Sequence, residues 1–271
     1  MLKLGVNLDI PNESYHKDVE YVSSSGLKIM LKDPKLYYKK YVLGESDYTT
    51  SAAFDFGSYL HALILEPHTV EDEYAIYEGK VRRGKDYDKF KELNIGKVII
   101  TRSQYLQAMS LLEAYTENEL AKSLIQNGAA EQTVTAILDE VKVKARTDYI
   151  KFGEDEINII DVKTTSDPTD RLSVGKTIAR YDYDLSAALY IDTIQTVHKN
   201  KEVFFTFLFL NKQTNEVEAY RASDSMIENG RRKYKAALRM LKEAKKTGKY
   251  FEEGIEEVTL PSWAIFDENT K

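Results

Sequence analysis

Apolar positions fall into distinct patterns along the chain, and each pattern predicts a different element. Alternation at Val141, Val143 and Ala145, and again at Ile157 and Ile159 with Val162 following, predicts strands with one or both faces buried. The polar break Lys151-Phe152-Gly153-Glu154-Asp155-Glu156 between them contains a glycine and reads as a hairpin turn. Residues 203–210 form a near-continuous apolar run, the pattern of a fully buried strand, and 211–215 turn it into another strand over 216–221.

The helical pattern occupies most of the rest. Ser23, Ser24 and Ser25 offer cap oxygens for a helix over 26–31, with Leu27, Met30 and Leu31 on one face. Asp33 caps a second helix with Pro34 at its first position. That helix carries Leu36, Tyr37, Tyr38, Lys39, Lys40 and Tyr41, and it admits two readings: an amphipathic face, or a phosphate-tracking surface. A helix over 54–65 stops at Pro67. Thr101-Arg102-Ser103-Gln104 is a capping box that opens a helix to 115, and a shorter one over 117–126 ends near Gly128. Turn residues at 167–170 lead into a helix over 171–180. A long helix over 184–198 follows, then a last amphipathic one over 223–246 that carries Arg231, Arg232 and Lys233. Residues 1–22 read as an irregular arm, 82–97 as a mobile loop, and the tail Val258-Thr259-Leu260-Pro261-Ser262-Trp263 as a segment that packs back on the body.

Composition narrows the class. A 271-residue chain with 42% hydrophobic and 30% charged residues describes an ordinary globular protein able to bury a sizeable core. No repeat or low-complexity linker divides it, so a single domain over 1–271 is expected, with 1–22 as arm and 257–271 as tail. The absence of cysteine excludes disulfides and thiolate sites for zinc or iron–sulfur clusters. No apolar run approaches the ~20 residues of a membrane helix. The N-terminus lacks a signal-peptide core, so the expectation is a cytoplasmic protein without membrane association. No Walker-type glycine loop is present, and ATP is not expected. The net charge of −6 argues against broad coating of nucleic acid but leaves room for a local basic groove. Nineteen tyrosines suit core-edge packing, with base stacking open to a few of them.

The chemistry sits on the apolar strands, which carry Glu131, Asp148, Asp161 and Lys163. Charges on buried strands are expensive unless they pair or bind a cation. Asp161 and Lys163 are two apart and leave one face of their strand, and Asp148 joins them if its strand pairs alongside. Two readings stay open on residue types alone. One is a cross-strand salt-bridge cluster, and the other is a set of hard oxygens for a small divalent cation with an ammonium beside it. His61, one helical turn after Gly57, is likewise either a satisfied core histidine or a metal-adjacent group. The Arg82, Arg83 and Lys85 cluster is either a phosphate contact or a solvated loop.

The ordered series acid, Asp, then Asp161-Val162-Lys163 resembles the PD-(D/E)XK nuclease superfamily. Within it the chain resembles the RecE (exonuclease VIII) type of phage recombination exonuclease. That likeness is carried by Ser23-Ser24-Ser25-Gly26-Leu27-Lys28, Phe56-Gly57-Ser58-Tyr59-Leu60-His61-Ala62-Leu63, Lys144-Ala145-Arg146-Thr147-Asp148 and the stretch Tyr181 to Tyr190, and it runs from about Ser23 to Trp263. The resemblance implies an α+β protein with an α/β-type nuclease core, a central mixed β-sheet flanked by helices. It implies Mg²⁺, with Mn²⁺ able to substitute, held by Asp148, Asp161, Glu131 and the Val162 backbone carbonyl, with His61 as a ligand or neighbour. Lys163 would orient or help deprotonate the attacking water, its pKa lowered beside the metal. Arg146, Tyr190 and Ser186 would meet DNA; Ser186 stands where relatives carry a glutamine. The implied activity is 5′→3′ digestion of one strand of linear duplex DNA. Double-stranded DNA ends, a single-strand annealing protein and a homo-oligomer would be its partners. An endonuclease, or a non-catalytic DNA-end-binding module on the same fold, are the alternatives.

Overall fold

The computed structural model describes residues 2–8, 10–45, 51–79, 81–252, 254–255, 257–261 and 264–265. In chain order it begins with β1 (Gly5–Asn7), α1 (Asn12–Lys17), α2 (Ser24–Lys32) and α3 (Pro34–Tyr37), which runs into a π-helical turn over Tyr38–Val42. Next come α4 (Ala52–Leu65), a 3₁₀ turn, α5 (Val70–Glu73), β2 (Tyr74–Tyr77), α6 (Lys85–Leu93), β3 (Val98–Thr101), α7 (Arg102–Glu117) and α8 (Glu119–Leu124). The second half holds β4 (Gly128–Leu138), β5 (Val141–Phe152), β6 (Glu156–Thr165), α9 (Arg171–Arg180), α10 (Tyr183–Val197), β7 (Glu202–Asn211), β8 (Val217–Arg221) and α11 (Asp224–Thr247).

Six strands form one mixed sheet in the order β1-β4-β5-β6-β7-β8, antiparallel except for the parallel pair β6 and β7. A parallel pair needs a crossover, which α9 and α10 supply. The alternation in β6 sorts its side chains between two cores. Ile157 and Ile159 join Phe205, Phe207 and Phe209 against α10, α11 and α2, while Ile160 and Val162 join Leu208 and Leu210 against α4 and α7. Burial on both faces explains why the 203–210 run reads as continuously apolar.

Three expectations are corrected. The stretch 1–22 is not irregular throughout: β1 adds an antiparallel strand to the edge of β4, and α1 packs through Tyr15 onto Leu2 and Tyr21. The stretch 82–97 is not all loop, because α6 lies within it, and it joins β2 and β3, a parallel pair too short for alternation to reveal. Nor does the tail pack back over its described part, where Val258 and Leu260 are exposed; Ser262 and Trp263 lie outside the described residues.

Caps fix the helices near the open end of the sheet. The Ser23 hydroxyl accepts from the Gly26 N–H, Asp33 from Leu36, and Thr101 with Gln104 completes the capping box. At Gly230 a side chain would not fit. A Cβ there would lie 2.0 Å from the Asp184 carbonyl oxygen, so the glycine lets α11 press directly on α10.

Candidate active site

The register of the central strands builds the site. Ala130 pairs with Tyr149 and Gln132 with Thr147, which puts Glu131 across from Asp148. On the other side of β5 the ladder ends at Tyr149 opposite Ile160, and the next positions in that register are Asp148 and Asp161. Three carboxylates therefore form a row over three neighbouring strands. Where the β5–β6 ladder stops, the Asp148 side chain replaces it: Oδ2 accepts the Val162 N–H at 2.8 Å. Glu131 adopts φ 50°, a left-handed conformation that non-glycine residues rarely take and that functional sites commonly hold.

Lys163 closes the group from the same face of β6 as Asp161. Its Nζ is 2.5 Å from Asp161 Oδ2 and 3.9 Å from Asp148 Oδ2, and it donates to the Val162 carbonyl at 3.4 Å. His61 reaches over from α4. Its Nε2 lies 2.7 Å from the Val162 carbonyl, which can only accept, so Nε2 carries the hydrogen and Nδ1 faces Asp148 Oδ2 at 3.7 Å. Gly57, one turn earlier, sits close to Thr164 of β6, where an added Cβ would be 3.5 Å from Oγ1.

Electrostatics set this row apart from an ordinary salt-bridge cluster. Burial, then the Asp148 charge, pushes Glu131 up to about 8, with Arg146 opposing. Burial also raises Asp161; Lys163 opposes this and Asp148 reinforces it. Burial alone would lower Lys163, but Asp161 and Asp148 outweigh it and hold its pKa up. The lowered value expected from the sequence belongs to a site that holds a cation; in the protein alone the two carboxylates set the direction. Carboxylates placed opposite one another repel, and the two cations beside them, Lys163 and Arg146, face three acidic groups. Hard oxygens from Glu131, Asp148, Asp161 and the Val162 carbonyl suit a divalent cation, and its charge would relieve that repulsion. Among the described residues no three His, Asp or Glu groups are placed to hold a metal ion together as they stand. In this arrangement the Val162 carbonyl already accepts from His61 and Lys163. Of the two His61 nitrogens, Nδ1 is the one left for a cation.

The remaining candidates divide. Tyr190 on α10 is part-buried, its phenol pKa raised chiefly by burial, with a hydrogen bond to Ser24 and with Asp161, Asp148 and Glu131 nearby. Ser186 lies one turn earlier, half-buried, and its hydroxyl makes no hydrogen bond among the described residues. Arg146 is enclosed by the N-terminal segment: it donates to Ile10 O (2.7 Å), Asn12 (3.4 Å) and Thr133 (3.0 Å), and lies over the Tyr15 ring. Its Nε is 3.9 Å from Glu131, so it acts on the site by holding that carboxylate. Arg82 turns inward. It pairs with Asp55 at 2.5 Å and donates to Ile99 O and Gln104, so as placed it ties the loop to α4. Arg83 and Lys85 are exposed.

Two residues escaped the sequence reading. Lys28 on α2 and Tyr183 at the start of α10 flank Lys163: the Lys28 and Lys163 ammoniums lie 5.0 and 5.2 Å from the centre of the Tyr183 ring. A signal existed for Lys28, which follows the buried Ser24 by one helical turn and so shares its inward face. Tyr183 is fixed by the turn before it, where Asp182 (φ 49°) takes Lys32 and Lys233, and Lys233 also bonds Asp184.

Comparison with known proteins agrees with this geometry. The family model of a PDDEXK-like domain of unknown function, DUF3799, matches residues 23–253. A crystal structure of a candidate exonuclease from Eubacterium rectale aligns over 90% of this chain and 88% of its own, with a TM-score of 0.66 at 16% identity. The crystal structure of SSO0001 covers 78% of this chain and 83% of its own at 13% identity, with a TM-score of 0.27 too low to carry an argument. No curated protein matches the sequence. Among the described residues no helix is long and apolar enough to cross a membrane.

Proposed function

Because the chain belongs to the PDDEXK-like family DUF3799, we propose that it is a divalent-cation-dependent deoxyribonuclease that digests one strand of linear duplex DNA from its 5′ end and leaves 3′ overhangs. The observation that carries this reading is the carboxylate row Glu131, Asp148 and Asp161, with the Lys163 ammonium set against it. Mg²⁺ held by Asp148, Asp161, Glu131 and the Val162 carbonyl, with Mn²⁺ able to substitute, would supply Lewis-acid stabilisation of the charge on the phosphate.

The protein's own groups do the rest. Lys163, set against Asp161 and Asp148, orients or helps to deprotonate the attacking water and steadies the negative charge that develops on phosphate oxygen. His61 and the Asp148 carboxylate hold the Val162 peptide by its carbonyl and its N–H, which fixes the backbone between Asp161 and Lys163. Tyr190 walls the site from α10, and the exposed Arg83 and Lys85 are available to the DNA backbone. The strand polarity and the role in phage-type recombination rest on the RecE resemblance. So do a single-strand annealing partner and a homo-oligomer around the duplex. The likeness to a candidate exonuclease supports the preference for ends.

The test is digestion of linear duplex DNA labelled separately at each end, with Mg²⁺ and with EDTA, beside a closed circle and the Lys163→Ala protein. Metal-dependent release of the 5′ label from linear DNA, lost in the variant, is the expected result. Cutting of the circle would replace this reading with an endonuclease. End binding without cleavage in Mg²⁺ or Mn²⁺ would leave a non-catalytic module.

A further inference from the structure

Lys28 stands out among the ammoniums near the open end of the sheet because no anion answers it. Lys163 has Asp161, Lys233 has Asp182 and Asp184, and Lys32 has Asp182. Lys144, which is buried, donates to the carbonyls of Tyr15 and Asp18. Lys28 is half-buried on α2, and among the described residues it makes no hydrogen bond and no ion pair; its ammonium lies 5.0 Å from the centre of the Tyr183 ring. Burial and the like charge of Lys163 bring its pKa down to about 8, with Asp161, Asp182 and Asp184 opposing, so it still carries its proton at neutral pH. A part-buried ammonium with three unused donors beside a second ammonium is unfavourable in the protein by itself. It becomes favourable once an anion lies between the two. The two ammoniums share the Tyr183 ring, at 5.0 and 5.2 Å from its centre, and so lie in one neighbourhood at the site.

We propose that Lys28 is a substrate-binding residue whose ammonium takes a non-bridging oxygen of a backbone phosphate in the strand being cut, beside the position served by Lys163. This rests on the nuclease reading and adds to it a contact on α2, outside the strands that carry the carboxylates. Lys28→Met and Lys28→Gln remove the charge, and Lys28→Arg keeps it. The measurements are affinity for linear duplex DNA in EDTA across a salt series, kcat and KM with Mg²⁺, and thermal unfolding without DNA.

Loss of a charge-assisted bond is expected to weaken binding by about tenfold to a hundredfold. The slope of log K against log salt should fall by about 0.9, the share of one phosphate. Lys28→Arg should retain most of the affinity. Both neutral variants should unfold at or above the wild-type temperature, because an unanswered charge has been removed; a structural lysine would do the opposite. Unchanged affinity and slope in the neutral variants, with a wild type that binds and cleaves, would overturn the role of Lys28 and leave the nuclease standing. A wild type that neither binds nor cleaves DNA would overturn both.

Discussion

Asp148 holds the site together in two separable ways, and a pair of substitutions divides them. Its carboxylate contributes charge to the row with Glu131 and Asp161, and its Oδ2 is the acceptor for the Val162 N–H where the β5–β6 ladder ends. Asn at 148 removes the charge but keeps an acceptor oxygen, whereas Ala removes both. Both variants should lose cleavage by roughly 10³-fold or more, since several kcal/mol of transition-state stabilisation depend on that charge. Their stabilities should differ. Val162 is fully buried, so in Asp148→Ala its N–H is left without a partner, at a cost of about 1–3 kcal/mol. Relief of carboxylate repulsion is common to both variants and cancels in the comparison. In a chain of this size about 2–4 °C accompanies each kcal/mol, so Asp148→Ala should unfold roughly 2–12 °C below Asp148→Asn. Circular dichroism melts in EDTA at neutral pH, paired with cleavage assays in Mg²⁺, make the comparison. Equal melting of the two would refute the role given to the Val162 N–H, and near wild-type cleavage by Asp148→Asn would refute the site.

Three further outcomes follow from single contacts. Glu131 is raised from 4.5 to about 8, so it favours folding fully below 4.5, and that contribution is lost as pH rises through 8. In EDTA, Glu131→Gln should therefore gain stability over the wild type progressively across that window, and Mg²⁺ should shrink the gap; a pH-independent difference in melting temperature would contradict this. Gly230→Ala puts a methyl 2.0 Å from the Asp184 carbonyl oxygen, and urea unfolding should show a loss of about 3 kcal/mol or more; a loss under 1 kcal/mol would mean that α11 moves away freely. Tyr234→Phe removes a buried phenol that donates to Asp192 at 2.5 Å while Arg231 keeps its own bonds to Asp192, so the expected cost is about 1.5–3 kcal/mol in the same assay, with DNA cleavage unaltered.

What the sequence disclosed depended on how local the signal was. The strands around Asp148 and Asp161 were legible because alternation is a property of neighbouring residues, and the capping box at Thr101 because its partners are three residues apart. The row itself was not legible. It depends on the register between strands, and a slip of one residue would turn every side chain to the other face. Distance along the chain also hid the fate of the arginines: Arg82 meets Asp55, and Arg146 meets carbonyls of a segment more than a hundred residues earlier. The Arg82-Arg83-Gly84-Lys85 cluster reads as uniformly basic, yet its first arginine is spent on an internal ion pair. The arm over 1–22 was misread for a related reason: β1 spans three residues, and its edge position on β4 comes from tertiary contact, not propensity.

The distribution of unfavourable features supports placing function at the end of β5 and β6. Elsewhere among the described residues several half-buried or buried charges are answered: Asp192 by Arg231 and Tyr234, Asp55 by Arg82, Asp182 and Asp184 by Lys233. At the one place where three strands present Glu131, Asp148 and Asp161 together, local rules fail repeatedly. Carboxylates stand opposite carboxylates, Glu131 takes a left-handed backbone, and Lys28 has no partner. Each departure carries a cost of order 1–3 kcal/mol, against a net stability of about 5–15 kcal/mol for a typical domain. Selection for folding alone would replace such groups with apolar or paired ones, since most of these changes would stabilise the chain. The departures also share a logic that random imperfection would lack. The excess negative charge suits a cation, and the unanswered ammonium suits an anion a short distance away. A phosphodiester brought in with a divalent cation satisfies both at once, which a salt-bridge cluster with a purely structural role does not require.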